Sequence, residues 1–110
     1  MKFSCVIPSL NPNHEWLCQA LYSSKIFDEI FIHLEHSESE PTSYQDKVNK
    51  LLSLCSGDWL CIISDDDWFS VDGIKKVIEY AKNCDKDIIC TPFYQVDTNT
   101  IYTEGKKPID

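Results

Sequence analysis

Arginine is absent: all ten basic residues are Lys, set against 18 Asp and Glu, for a formal charge of −8. A protein that tracks phosphate backbones normally shows the opposite balance, which argues against general DNA or RNA binding. Long apolar runs are missing too. Nowhere do about eighteen apolar residues follow one another, which predicts no membrane-spanning helix. The N-terminal apolar run stops at Pro8, too short for a secretory signal. No Cys-x-x-Cys pair offers a zinc or redox motif among the six cysteines. Cys5, Cys61 and Cys90 lie in apolar runs, and Cys18, Cys55 and Cys84 in or beside helix-like stretches. Most are expected as small buried hydrophobes in a reduced, cytoplasmic chain. No internal repeat, linker or low-complexity segment interrupts the sequence.

What is present is an ordinary globular composition: 43% hydrophobic, 12% aromatic and 25% charged over 110 residues. That length predicts a single domain over residues 1–110, able to bury roughly two thirds of its unfolded surface. Phe3 to Ile7 reads as a strand covered on both faces. Trp16, Leu17, Ala20 and Leu21 recur at helical spacing behind a possible Asn13 cap. Ile30 to Ile32 is a second buried-strand pattern. It runs into a polar loop from Glu35 to Pro41. Thr42 and Gln45 read as a capping box opening a helix with Val48, Leu51, Leu52 and Cys55 on one face. Trp59 to Ile63 is the strongest strand signal, followed by Ser64-Asp65-Asp66-Asp67. Ser70 can cap a third helix whose inner face is Ile74, Val77, Ile78 and Ala81. Ile88 to Cys90 reads as a fourth strand. Residues 93–96 and 100–103 flank Asp97-Thr98-Asn99 as a hairpin, whose edge could also support a homodimer.

The alternation of strands and helices predicts an α/β fold: a three-layer, Rossmann-like, mainly parallel sheet with helices on both faces and a C-terminal β-hairpin. Ligands in such sheets bind outside the carboxyl ends of the strands, where strand order reverses. Asp65, Asp66 and Asp67 fall at that edge. Adjacent carboxylates repel one another, and a divalent cation is one remedy, since Mg²⁺ or Mn²⁺ takes one or two carboxylates and completes its shell with water and phosphate oxygens. The bland alternative is that they cap a helix and decorate a solvated turn.

Three segments carry a resemblance. Val6-Ile7-Pro8-Ser9-Leu10-Asn11, the helix Lys47-Val48-Asn49-Lys50-Leu51-Leu52, and Ser56 to Asp67 together resemble the first turn, the Arg-Asn-x-Leu-Leu helix and the Asp-x-Asp-Asp element of family-2-type glycosyltransferases of the GT-A fold. The likeness runs from residue 3 to about 90. It implies a nucleotide-diphosphate sugar as donor, an unidentified acceptor, a Mn²⁺ or Mg²⁺ cofactor and inverting, hexosyltransferase-type transfer. It also implies metal ligands among Asp65, Asp66 and Asp67, and donor contacts at Pro8, Ser9, Asn11, Glu35, Lys47, Asp65 and Trp68. Aligned on Gly57, the motif places its first residue on Ser64 and its third on Asp66, which makes Asp66 the leading ligand; a literal Asp-x-Asp is Asp65 and Asp67. Both registers stay open.

The chain departs from the family pattern in places. The loop that normally reads Asp-Asp-Gly-Ser is Leu34-Glu35-His36-Ser37. The first-turn aromatic is Leu10, and the helix Arg is Val48 with Lys47 one place earlier. Members usually run past 200 residues, with a second half that supplies the acceptor site and general base, and no residue here maps to that base. Asp97 and Glu104 are the late carboxylates. The competing expectation is a catalytically degenerate or truncated module that only binds or assembles. His33, Glu35 and His36 read as a polar loop rather than a metal site. Trp59 reads as core, and Trp68 as either helix packing or a ligand contact. A phosphoacceptor receiver needs an acidic pair where Pro8-Ser9-Leu10-Asn11 stands.

Overall fold

The computed structural model describes residues 1–9, 14–34, 43–95 and 100–102. The chain divides into two compact units, Met1–Lys76 and Val77–Asp110. In the first, β1 (Phe3–Pro8), β2 (Glu29–His33) and β3 (Trp59–Ile62) form a parallel sheet in the order β2-β1-β3. Register pairs Ser4 with Glu29 and Leu60, and Val6 with Phe31 and Ile62. The helices α1 (His14–Ser23) and α2 (Tyr44–Leu54) are the crossovers. The first crossover steps from β1 to one side and the second steps back past it, so right-handed connections put the two helices on opposite faces. The contacts agree. Cys5, on one face, has its thiol 3.9 Å from the Ser24 hydroxyl just after α1, while Ser4, on the other, accepts from the Gly57 amide just after α2 and shares the Glu29 carboxylate with Ser56.

All six residues of β1 are buried, as its almost continuous apolar run predicts. Burying Val6 and Ile7 contributes about 1.5–3 kcal/mol apiece. The amino ends of the strands are clamped by polar groups. Glu29 accepts hydrogen bonds from Ser4 Oγ and the Ser56 amide, both at 2.6 Å, and pairs with Lys2 Nζ at 3.2 Å. Gly57 donates its amide to Ser4 Oγ at 2.9 Å, an approach that leaves no room for a side chain: a Cβ there would overlap that oxygen and sit 2.9 Å from Ser4 N.

Several sequence expectations change here. β3 is half open: Leu60 and Ile62 are 49% and 47% exposed and Trp59 is only half-buried, because β3 lies at the edge of the sheet and α2 packs over β1 and β2. Helix α2 is capped by Ser43, which accepts from the Asp46 amide, one residue later than the Thr42 box. Trp16 is half exposed on α1; its predicted cap, Asn13, lies outside the described residues. All six cysteines are free, with Cys5 buried but Cys18 and Cys90 exposed.

Helix α3 (Val71–Lys82) follows the predicted pattern, with Ser70 Oγ accepting from the Gly73 amide and Ile74, Ile78 and Ala81 buried. In the second unit, β4 (Phe93–Gln95) and β5 (Thr100–Tyr102) pair antiparallel as the expected hairpin. Its turn, Asp97 to Asn99, lies outside the described residues. Ile88 to Cys90 is not a strand. Ile88 is 79% exposed, and three apolar residues followed by Thr91-Pro92 have no ladder partner among the described residues and, at Pro92, no N–H to extend one. No helix among the described residues is long and apolar enough to cross a membrane.

Candidate functional site

Because β2 and β3 flank β1 through crossovers in opposite directions, strand order reverses between β1 and β3, and a crevice is expected at their carboxyl ends. Pairing continues briefly past the strands: Ile63 N donates to Val6 O at 3.0 Å, and Ser9 N to His33 O at 2.9 Å. Pro8 closes β1 opposite His33, buried. Ser9 then stands at the junction, wholly buried.

Ser9 joins four elements. Its amide is held by β2. Its carbonyl accepts from Lys47 Nζ of α2 at 3.1 Å, and its hydroxyl donates to Asp65 Oδ2 beyond β3 at 2.7 Å. Lys47 is itself completely buried on the same stripe of α2 as Leu51. A hydrogen bond to a charged group is worth about 1.5–3 kcal/mol when shielded from solvent, so Ser9 and Lys47 form a rigid corner.

The acidic residues sit in a turn closed by Asp67 N donating to Ser64 O at 3.2 Å. Asp65 is half-buried; Asp66 and Asp67 are exposed. Partial covering pushes the Asp67 carboxyl above its usual range, with the neighbouring charges of Asp66 and then Asp65 adding to the shift. Past the turn, Trp68 is 46% exposed, a surface position rather than a core one. The chain is then fastened to the corner after α1, where Phe69 N donates to Ser23 Oγ at 3.0 Å and the Phe69 ring lies 5.4 Å from that of Phe27.

Among the sequence-designated residues, the structure therefore brings Ser9, Lys47 and Asp65 together, with Pro8 beside them and Asp66, Asp67 and Trp68 following. Asn11, Glu35 and His36 lie outside the described residues. Two features escaped the sequence reading. Lys47 points inward, a placement its i, i+4 relation to Leu51 signals. His33 Nδ1 is buried with no hydrogen-bond partner among the described residues, at the strand end next to Ser9.

No group of three or more His, Cys, Asp or Glu side chains forms a ready cation cage among the described residues. The donor set still fits a hard divalent ion that takes one or two carboxylates: Asp65 is held in place by Ser9, and such an ion would relieve the repulsion from Asp66 and Asp65 that adds to the effect of partial covering on Asp67.

Comparison with known families decides the placement: glycosyl transferase family 2 matches residues 25–108. The chain belongs to that family. This glycosyl transferase family 2 member therefore has the GT-A architecture that the parallel three-stranded sheet and its helices display. The match starts after the Val6–Asn11 segment and runs through the hairpin, a span shifted toward the C-terminus relative to the resemblance of residues 3 to about 90. No curated protein and no solved structure matched.

Proposed function

We propose that this family 2 member binds a nucleotide-diphosphate sugar at the carboxyl ends of β1 and β3, together with Mn²⁺ or Mg²⁺ at Asp65, Asp66 and Asp67, for inverting glycosyl transfer to an acceptor hydroxyl. The observation that carries this reading is the Ser9–Asp65 bond across the reversal of strand order, with two further carboxylates beside it. A bound cation would supply Lewis-acid assistance to the departing nucleoside diphosphate. The chain's own residues do the rest. Ser9 orients Asp65, the Ser64–Asp67 turn presents Asp66 and Asp67 to solvent, and half-exposed Trp68 offers an indole face beside them for a sugar or base. Pro8, buried opposite His33, leads directly into Ser9. Asn11 and Glu35 are assigned to the donor pocket from the family motif positions they match in sequence.

A panel of UDP-, GDP- and dTDP-sugars, each with and without Mn²⁺, tests this by thermal shift. Stabilisation by one donor, enhanced by Mn²⁺ and lost in Asp66→Ala and Asp65→Asn, is the expected result. No donor- or metal-dependent shift, or shifts unchanged in both variants, would reject it. The binding-only reading is favoured by one observation, the replacement of the usual Asp-Asp-Gly-Ser loop by Leu34-Glu35-His36-Ser37. Sugar transfer or donor hydrolysis by the chain, abolished in the Asp variants, would reject that second reading.

A further inference from the structure

We propose that buried Lys47 is a positioning residue that sets the acidic turn through Ser9, which makes Asp65 the anchored carboxylate of the cation site. This rests on the metal-binding reading above. Two registers of the acidic motif are open from sequence, and the geometry separates them. Of the three carboxylates, Asp65 is half-buried and, alone among them within the described residues, bonded to the end of β1, by Ser9 Oγ at 2.7 Å; Asp66 and Asp67 are exposed.

Ser9 can aim that hydroxyl because both peptide groups flanking its α-carbon are pinned. The peptide before it donates to His33 O at 2.9 Å, and the peptide after it accepts from Lys47 Nζ at 3.1 Å. Fixing both leaves little freedom in φ or ψ, and Ser9 is wholly buried, so its side chain has little alternative to Asp65. Removing the Lys47 ammonium leaves a buried carbonyl without that donor. The peptide after Ser9 is then released, and the hydroxyl loses its aim. Lys47 never touches the cation or the donor in this scheme. It acts at a distance, as outer groups around a metal act on the ligands they orient.

The test is Mn²⁺ binding followed by electron paramagnetic resonance, with amide hydrogen exchange at residues 64–67 of the metal-free protein as a second readout. Wild type, Lys47→Met, Lys47→Arg, Ser9→Ala and the double variant Ser9→Ala/Lys47→Met are compared. Lys47→Met is expected to weaken Mn²⁺ binding about tenfold or more and to speed exchange in the turn. Lys47→Arg, which keeps a buried cationic donor, is expected to restore much of both. Once Ser9→Ala has cut the link, Lys47→Met should add nothing further to the loss of metal affinity.

Multiplying losses in the double variant, or Lys47→Met with wild-type affinity and exchange, would overturn the proposal. Where Lys47→Met fails to fold, Ser9→Ala reads the same link from its other end, and unchanged metal affinity and exchange there overturn it equally. A wild-type protein that takes up no Mn²⁺ would defeat the metal reading itself. The exchange arm then decides the Lys47–Ser9–Asp65 link alone, and unaltered exchange in Lys47→Met defeats that link.

Discussion

Glu29 shows how strongly one side chain can be tied to its surroundings. The Ser4 hydroxyl first, then the Ser56 amide, with Lys2 adding to them, hold its carboxyl at about 2, below its usual 4.5. A carboxylate depressed on folding contributes stability that is fully present above its unfolded pKa and is lost as pH falls toward the folded one. The resistance to urea of wild type is therefore expected to fall between about pH 4.5 and pH 2 more steeply than that of Glu29→Gln. Equal slopes in urea titrations across that window would show that the network carries no such linkage. Gly57 offers a second residue-level test. Its missing Cβ makes room for Ser4 Oγ, whose position is shared with Glu29. Gly57→Ala must push β1 and β3 apart at their amino ends, at an expected cost of about 1–3 kcal/mol in chemical denaturation.

At the scale of elements, periodicity and position contribute differently. The inner face of α3 and the central strand β1 were legible because their signals are local: apolar residues at helical spacing behind a serine cap, and an almost continuous apolar run ended by proline. What sequence could not show was neighbourhood. β3 has the most hydrophobic strand sequence in the chain, yet it lies at an edge and turns Leu60 and Ile62 outward, because coverage depends on where α2 crosses the sheet. Ile88 to Cys90 is a strand pattern without a partner, and Trp16 satisfies a helical spacing while half exposed. The site was legible in the same uneven way. Ser9, Lys47 and Asp65 could be named from motifs, but the bonds joining them depend on three strands and a helix meeting at one corner.

The contrast between centre and edge can be measured. Ile7→Ala, in the fully covered strand, is expected to cost about 2–5 kcal/mol. Ile62→Thr, on the open side of β3, should cost about 1 kcal/mol or less. Comparable losses in urea unfolding would mean that β3 is covered in solution.

For the whole molecule, charge is the dominant global property. A formal charge of −8 on 110 residues means that the folded chain works against its own repulsion, part of it concentrated in the acidic turn. Added NaCl is expected to raise the melting temperature, most steeply up to physiological ionic strength, where the screening length shrinks to about 8 Å. Mn²⁺ at equal ionic strength should raise it further in wild type than in Asp65→Asn. If the two salts act alike on both proteins, the acidic turn behaves as a diffuse charge rather than a site.

The central place of β1 also bears on how the chain comes to be folded. Lys2 and Asp58, bonded at the amino ends of β1 and β3, are 56 residues apart in sequence, whereas the Phe3–Asp28 bond to β2 spans only 25. Closing the longer loop costs more entropy. During synthesis, the strand made first can pair on one side as soon as β2 emerges, but its other edge stays open until β3 has left the ribosome. Through that interval β1 presents an unsatisfied row of backbone groups, and the corner at Ser9 lacks the Asp65 side. The carboxyl edge around Ser9 is thus among the last parts of the sheet to be assembled, although β1 precedes the other two strands in sequence.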